Sequence, residues 1–439
     1  MHNNQHYMIG FLVCLVSTCS FAVPTIQHWQ TKSGAKVYFV PTEGLPILDV
    51  RLVFDAGSVR DGNQTGVASL TNGMLNEGAG GLSAQQIAEQ LESVGAQLGL
   101  SASRDFASIS YRSLTDASAL KASWAVLKKV LTQPRFPNKE FQRVKKNTLL
   151  GIKKREESPG TLAQLALYKA MFKNHPYANA IQGERESVQS IEQADLKRFY
   201  KQYYVANNVV VVLVGGVERK QAEQLISELL SELPSGKKAT PIATVADIKQ
   251  GMDIHQEYPS QQTHLMYGMP VLAHNDPDYF PLYVGNHILG GSGFGSRIVK
   301  DIREKRGLAY SAYSYFHPMM NRGPFLVGLQ TKNANVTEAK SAIKNVLKTF
   351  IDDGPTDEEL LASKKNISGG FALKLDSNKK LLASVVGIVV SGAPLDYLNS
   401  YLQHVKAVTR EQIKEAFQRR IDMNKMVMVT VGNATGDKK

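Results

Sequence analysis

Cysteine is almost missing from this 439-residue chain: there are two, Cys14 and Cys19, and both fall within the first 22 residues. Past that point no disulfide, thiolate nucleophile or cysteine metal ligand is available, so a chain this long must be held by core packing alone. Tryptophan is scarce as well, with only Trp29 and Trp124. The basic residues are not interleaved with a stripe of stacking aromatics, which speaks against a nucleic-acid partner. The net charge of +12 comes instead from mixed runs such as RVKKNTLLGIKKREE, Arg143 to Glu157, which read as the solvated face of a helix.

A long apolar run is also lacking. The most apolar stretch, Met8 to Phe21, is shorter than the roughly 20 residues a membrane-spanning helix needs. It sits in a leader with no Lys, Arg, Asp or Glu, and Ser20-Phe21-Ala22 has the small-x-small form of a cleavage site. Residues 1–22 are therefore expected to be a signal peptide that exports the chain to a bacterial periplasm, with no stable membrane span. The alternatives are an uncleaved apolar anchor or a lipidated Cys19.

The familiar catalytic patterns are missing too. No G-x-S-x-G elbow is followed by Asp and His in order, which leaves a serine-hydrolase triad without an anchor. Beyond the leader no histidine has another within three to five residues, whereas a catalytic zinc wants two nitrogen ligands one helical turn apart and a third group. His175 reads as a loop residue and His287 as packed inside its helix, while His264, His274 and His317 are scattered. The run GGSGFGS, Gly290 to Ser296, follows a helical pattern and offers no Lys, so it reads as a turn between helices and not as a phosphate cradle.

What is present is a repeat. SIEQADLKRFYKQYYVANNVVVVLVGG, Ser190 to Gly216, lies over AVTREQIKEAFQRRIDMNKMVMVTVGN, Ala407 to Asn433, at a constant offset. Ile191 falls on Val408, Leu196 on Ile413, Asn207 on Asn424 and Gly215 on Gly432. Each copy is an amphipathic helix, a turn and an apolar strand, so the chain is expected to hold two halves of one fold. LPSGKKATPIATVADIKQ, Leu233 to Gln250, has a linker's composition. The expected organisation is residues 23–232, a linker 233–250, and residues 251–439. The class is α+β, with a mostly antiparallel sheet in each half and helices on one face.

In TGVASLTNGMLNEGAGG, Thr65 to Gly81, the residues Val67, Leu70, Met74 and Leu75 recur at helical spacing. The polar side of that helix carries Ser69, Asn72 and Gly73, none of which binds a metal well or moves a proton.

The duplicated halves, this helix, KKREESPGTLAQLALYKAMFKNHPYA and LGGSGFGSRIVKDIREKRGLAYS together resemble the insulinase/pitrilysin (inverzincin) zinc peptidases. The nearest branch is the bacterial one related to mitochondrial processing peptidase, and the likeness runs from about Val23 to Asn433. Active relatives carry H-x-x-E-H on the first half's helix and a Glu on a later helix. By that resemblance Ser69 and Gly73 stand at the histidine positions, Asn72 at the general base, and Gly151 (or its neighbour Leu150) at the third ligand. The chain is thus expected to bind no metal.

The resemblance further implies that Arg303 and Tyr310, seven residues apart, reach a peptide near the bond being cut. It implies a heterodimer, with zinc on a homologous H-x-x-E-H-bearing subunit and the two halves of each chain joined by the linker as a clamshell. Ala96 to Leu114 would offer a sheet edge where a peptide adds as a strand. A scaffold of the same fold with no part in catalysis is the alternative; a peptidase acting alone through an unrecognised site is a third.

Overall fold

The computed structural model describes residues 24–433; the expected leader, with Cys14 and Cys19, lies outside them. The first sheet contains β1 (Gln27–Gln30), β2 (Lys36–Pro41) and β3 (Ile47–Phe54). After a two-rung hairpin, β4 (Gly78–Ala79) and β5 (Leu82–Ser83), it continues with β6 (Gln97–Ala102), β7 (Ala107–Leu114) and β8 (Val209–Gly215). Its order is β1-β2-β8-β3-β7-β6. The second sheet contains β9 (Met252–Glu257), β10 (Gln262–Leu272), β11 (Ala309–Phe316), β12 (Gly323–Lys332) and β13 (Val427–Gly432), in the order β11-β12-β10-β13-β9.

The repeat expected from the sequence is visible in this pairing. β8 runs parallel to β2 and antiparallel to β3, as β13 runs parallel to β9 and antiparallel to β10. Every other pair in the two sheets is antiparallel. The helices that precede the repeated strands, Gln193–Tyr203 and Arg410–Arg420, both end in a short turn before β8 and β13. The first-half pattern Ala96–Leu114 is a hairpin, not one strand: β6 forms the sheet's terminal strand and β7 lies inside it.

Each half's own helices pack on one face of its sheet, and the opposite face is covered as well. Val211 and Leu213 of β8 enter the first half's core, but Val212 and Val214 on the opposite face are equally buried. That second face is covered by the helix Asn378–Ser391 of the second half, which lies on β8 and β3. Reciprocally the helix Pro159–Phe172 of the first half lies on β10 and β13. Each half therefore lends a helix to the other's sheet. The physical cause is composition: strands apolar on both faces, such as VVVVLV and VMVTV, need two covers. The lent helix buries Ala163, Leu167, Tyr168, Met171 and Phe172.

No helix or strand lies between Leu229 and Met252, yet the connection is fastened along its length. The Ala206 and Asn207 backbone N–H groups donate to Pro234 and Ser235 carbonyls, Arg60 donates to Thr240 O, and Asn321 and Arg322 donate to Ala243 O and Val245 O. Val245 and Ile248 are buried. Beside it the halves meet through a polar seam. Asp105 accepts from Tyr177 Oη at 2.5 Å and from the Met320 N–H at 3.0 Å, and Tyr177 Oη accepts from the Asn321 N–H at 3.1 Å.

Candidate functional site: a helix without ligands and an arginine–tyrosine pair

The helix expected in the first half spans Val67–Gly73. Its entry is built from Asp61, whose carboxylate accepts from the Gly66 N–H at 2.7 Å and the Ala68 N–H at 2.9 Å. Gly66 adopts φ 100, and a Cβ there would lie 2.7 Å from the Gln182 carbonyl oxygen, so only glycine fits. Burial pushes the Asp61 carboxyl up to about 7, against the pull of those two N–H bonds. Val67, Leu70, Met74 and Leu75 are all buried, as their spacing predicts.

Asn72 departs from the sequence reading. It is 1% exposed and does not lie on a polar side. Its amide donates to Tyr204 Oη at 3.1 Å, and Tyr204 is buried against Phe54 and Tyr200. A periodicity argument places such a residue outward because it is polar; a hydrogen-bonded partner from another helix permits the opposite. The other positions are open. Ser69 is half-buried without a side-chain hydrogen bond, and a Cβ at Gly73 or Gly151 would meet nothing within 4 Å. Gly151 lies on the helix Asn138–Glu156, which packs against Val67–Gly73, and its neighbour Leu150 is exposed.

This donor set does not fit zinc. A hydroxyl, a carboxamide tied to a tyrosine and two glycines supply neither imidazole nor carboxylate. No group of three or more His, Cys, Asp or Glu that could hold a metal occurs among the described residues. The histidines have other work. His175 lies in the loop after the helix Pro159–Phe172, as read from the sequence, and is buried there, with Nδ1 accepting from the Tyr177 N–H and Nε2 facing Ala243 O. His287 is not packed within its own helix but bridges to Ser363 and Asn366 on the helix Asp357–Gly370.

The second half presents a different surface. Arg303 stands on a π-helical turn, Val299–Lys305, and Tyr310 near the start of β11. Between them Gly307 at φ 63 reverses the chain, and Leu308 and Ala309 are buried and pin its return. The register between β11 and β12 slips between Ala309 and Ala312, so Tyr310 and Ser311 together oppose one residue of β12. Such a bulge re-aims side chains, and Tyr310 is 83% exposed. The Arg303 guanidinium lies 4.5 Å from the Tyr310 ring centroid and 4.8 Å from that of Phe294. Neither Arg303 nor Tyr310 makes a side-chain hydrogen bond or ion pair among the described residues, so all their donors are uncommitted. Phe294, in the turn GGSGFGS, was not singled out by sequence reasoning; the only available signal was a large apolar residue between two glycines.

The fold is shared. The solved structure of a peptidase M16 inactive domain from Pseudomonas fluorescens superposes with a TM-score of 0.91 at 37% identity, covering 94% of this chain and all of that one (100%). Residues 42–185 match the family described as insulinase (peptidase family M16), and residues 190–367 match the peptidase M16 inactive domain. A Helicobacter pylori relative named "Non-peptidase homolog YmxG" is 30% identical over 417 residues, covering 93% of this chain and 95% of the relative. This chain belongs to peptidase family M16. A second M16 relative, "Uncharacterized zinc protease YmxG" of Bacillus subtilis, is 27% identical over 81% of this chain and 86% of its own length. The inactive-domain match and these relatives support a non-catalytic member of the family. No helix among the described residues is long and apolar enough to cross a membrane.

Proposed function

We propose that this M16 chain is the metal-free, substrate-contacting subunit of a periplasmic heterodimeric zinc endopeptidase acting on peptides or unfolded segments. The observation that supports it is the contrast between the two halves. The Val67–Gly73 helix keeps its packing residues and has no ligand among the described residues, while half-buried Arg303 and exposed Tyr310 hold their hydrogen-bond donors together and unused. A guanidinium and a phenol placed this way can donate to a peptide carbonyl oxygen whose negative charge grows as the bond is attacked. In this reading the partner is a homologous chain with an intact H-x-x-E-H helix, and its zinc supplies Lewis acidity and an activated water. β6, the terminal strand of the first sheet, offers backbone groups to an extended segment. Export rests on the leader, residues 1–22.

Mixing the purified chain with its H-x-x-E-H-bearing sister and following a quenched peptide tests the proposal. The pair should cleave faster than the sister alone, and Arg303→Ala should remove about 10²–10³ of that rate. No gain from adding this chain would end the proposal. The stacking of Arg303 on two rings supports a second reading, a binding or scaffold protein in which these residues only pack. Under that reading Arg303→Ala and Tyr310→Phe leave every activity of the complex unchanged.

A further inference from the structure

The turn that carries Phe294 has a rigid foot and a loose tip. At the foot Ser314 Oγ donates to Asn286 Oδ1 at 2.7 Å and Asn286 Nδ2 donates to Ser314 O at 3.1 Å, all of it buried. A Cβ on Gly290 would lie 2.3 Å from Ser314 Oγ, and one on Gly291 would lie 2.9 Å from Asn286 Nδ2, so the foot is closely packed. At the tip Gly293 sits at φ +66 with nothing within 4 Å of a Cβ, and Gly295 has only Ser292 Oγ at 3.5 Å. Ser296 Oγ donates to Gly293 O at 2.7 Å and closes the turn. The tip thus holds up a single large side chain, Phe294, which is 68% exposed.

We propose that Phe294 is a specificity-determining contact, which selects a bound segment carrying a large apolar side chain beside the carbonyl held by Arg303 and Tyr310. This rests on the reading of Arg303 and Tyr310 as substrate contacts. Three observations point to an extended peptide as the occupant. The Phe294 ring beside the free guanidinium of Arg303, with the Tyr310 hydroxyl beyond it, matches one side chain and its adjoining carbonyl. Tyr310 lies at the start of β11, a terminal strand whose edge an extended chain can follow, and Arg303 stands on the turn just before it. A patch of three side chains is also far smaller than the roughly 1,000 Å² that a specific protein–protein interface needs.

The test is fluorescence anisotropy with the full chain and two labelled Gly/Ser-rich peptides that differ only in one central residue, Phe or Ser. The Phe peptide should bind about 10-fold tighter, the discrimination expected of one small apolar contact. Phe294→Ser should bring the Phe peptide down to the Ser peptide's affinity and leave the Ser peptide unchanged, while Phe294→Leu keeps most of the preference. Arg303→Ala should weaken both peptides alike. If binding responds to Arg303→Ala but the Phe/Ser ratio survives Phe294→Ser, this inference fails and the parent reading stands. If neither Arg303→Ala nor Tyr310→Phe alters binding, or no peptide binds, the parent reading fails and takes this one with it. Far-UV circular dichroism of each variant keeps unfolding from imitating a loss of contact.

Discussion

Removing one oxygen atom from the seam between the halves should loosen that seam and little else. Tyr177 Oη donates to Asp105 at 2.5 Å and accepts from the Asn321 N–H at 3.1 Å, across the boundary between the first-half loop and the turn before β12. Tyr177→Phe keeps the ring, which packs edge-on against Phe172 and His175. It leaves the Asn321 N–H without its acceptor and removes one donor from Asp105. An unsatisfied part-buried N–H costs about 1 kcal/mol, the low end for such groups, and a hydrogen bond to a charged group is worth about 1.5–3 kcal/mol. A loss of about 3 kcal/mol is therefore expected, confined to the seam. Hydrogen exchange resolved by mass spectrometry reads it directly: amides of the turn at 319–322 should exchange about 10²-fold faster, while β8 and β13 keep their protection. Unchanged exchange in the turn would refute the assignment. A uniform loss of protection across both sheets would refute it too, because it would mean that Tyr177 supports the whole fold and not the seam.

The remaining expectations concern the Val67–Gly73 helix. Burial raises the Asp61 carboxyl from 3.8 to about 7, so folding favours its protonated form. The resulting stabilisation is complete below the unfolded pKa, near 4, and is lost as pH rises through 7; the full swing is about 4 kcal/mol. Asp61→Asn should flatten the pH dependence of the melting temperature between those limits, and an unaltered slope would contradict it. Gly73→His should fold with near wild-type stability, since a Cβ there meets nothing within 4 Å. Asn72→Glu should cost about 2 kcal/mol or more, because it forces an extra methylene and a charge into a site 1% exposed. Equal melting temperatures for these two variants would overturn the distinction drawn between the two positions.

The duplication was legible because both copies must bury the same positions: Leu196 and Ile413 each enter a core, and β8 and β13 each pair parallel on one side and antiparallel on the other. The exchanged helices were not legible. An apolar face such as Leu167, Met171 and Phe172 states that a helix must be covered, not which sheet covers it. Asn72 and His287 were misplaced for one shared reason. Periodicity says which way a residue faces on its own helix, but both are held by partners distant in sequence, Tyr204 for one and Ser363 with Asn366 for the other. Arg303 and Tyr310 came from family resemblance and not from spacing, and the slipped register that turns Tyr310 outward leaves no mark in the sequence.

The two regions differ in what the fold asks of them. The Val67–Gly73 helix is anchored by Asp61, by the close approach of Gly66 to Gln182, by four buried apolar side chains and by the Asn72–Tyr204 bond. Each of these survives without any metal, so loss of the ligands leaves the architecture intact. At the second region the relation is reversed. Phe294 and Tyr310 are 68% and 83% exposed, and an exposed cation–π contact contributes only about 0.5–1 kcal/mol. Two large rings facing water around an arginine with no ion pair among the described residues add little to stability and raise the risk of unwanted association. Fold stability therefore accounts for the residues of the first region and not for those of the second, and binding is the physical role left for an apolar, donor-rich patch whose turn is closely packed at its foot.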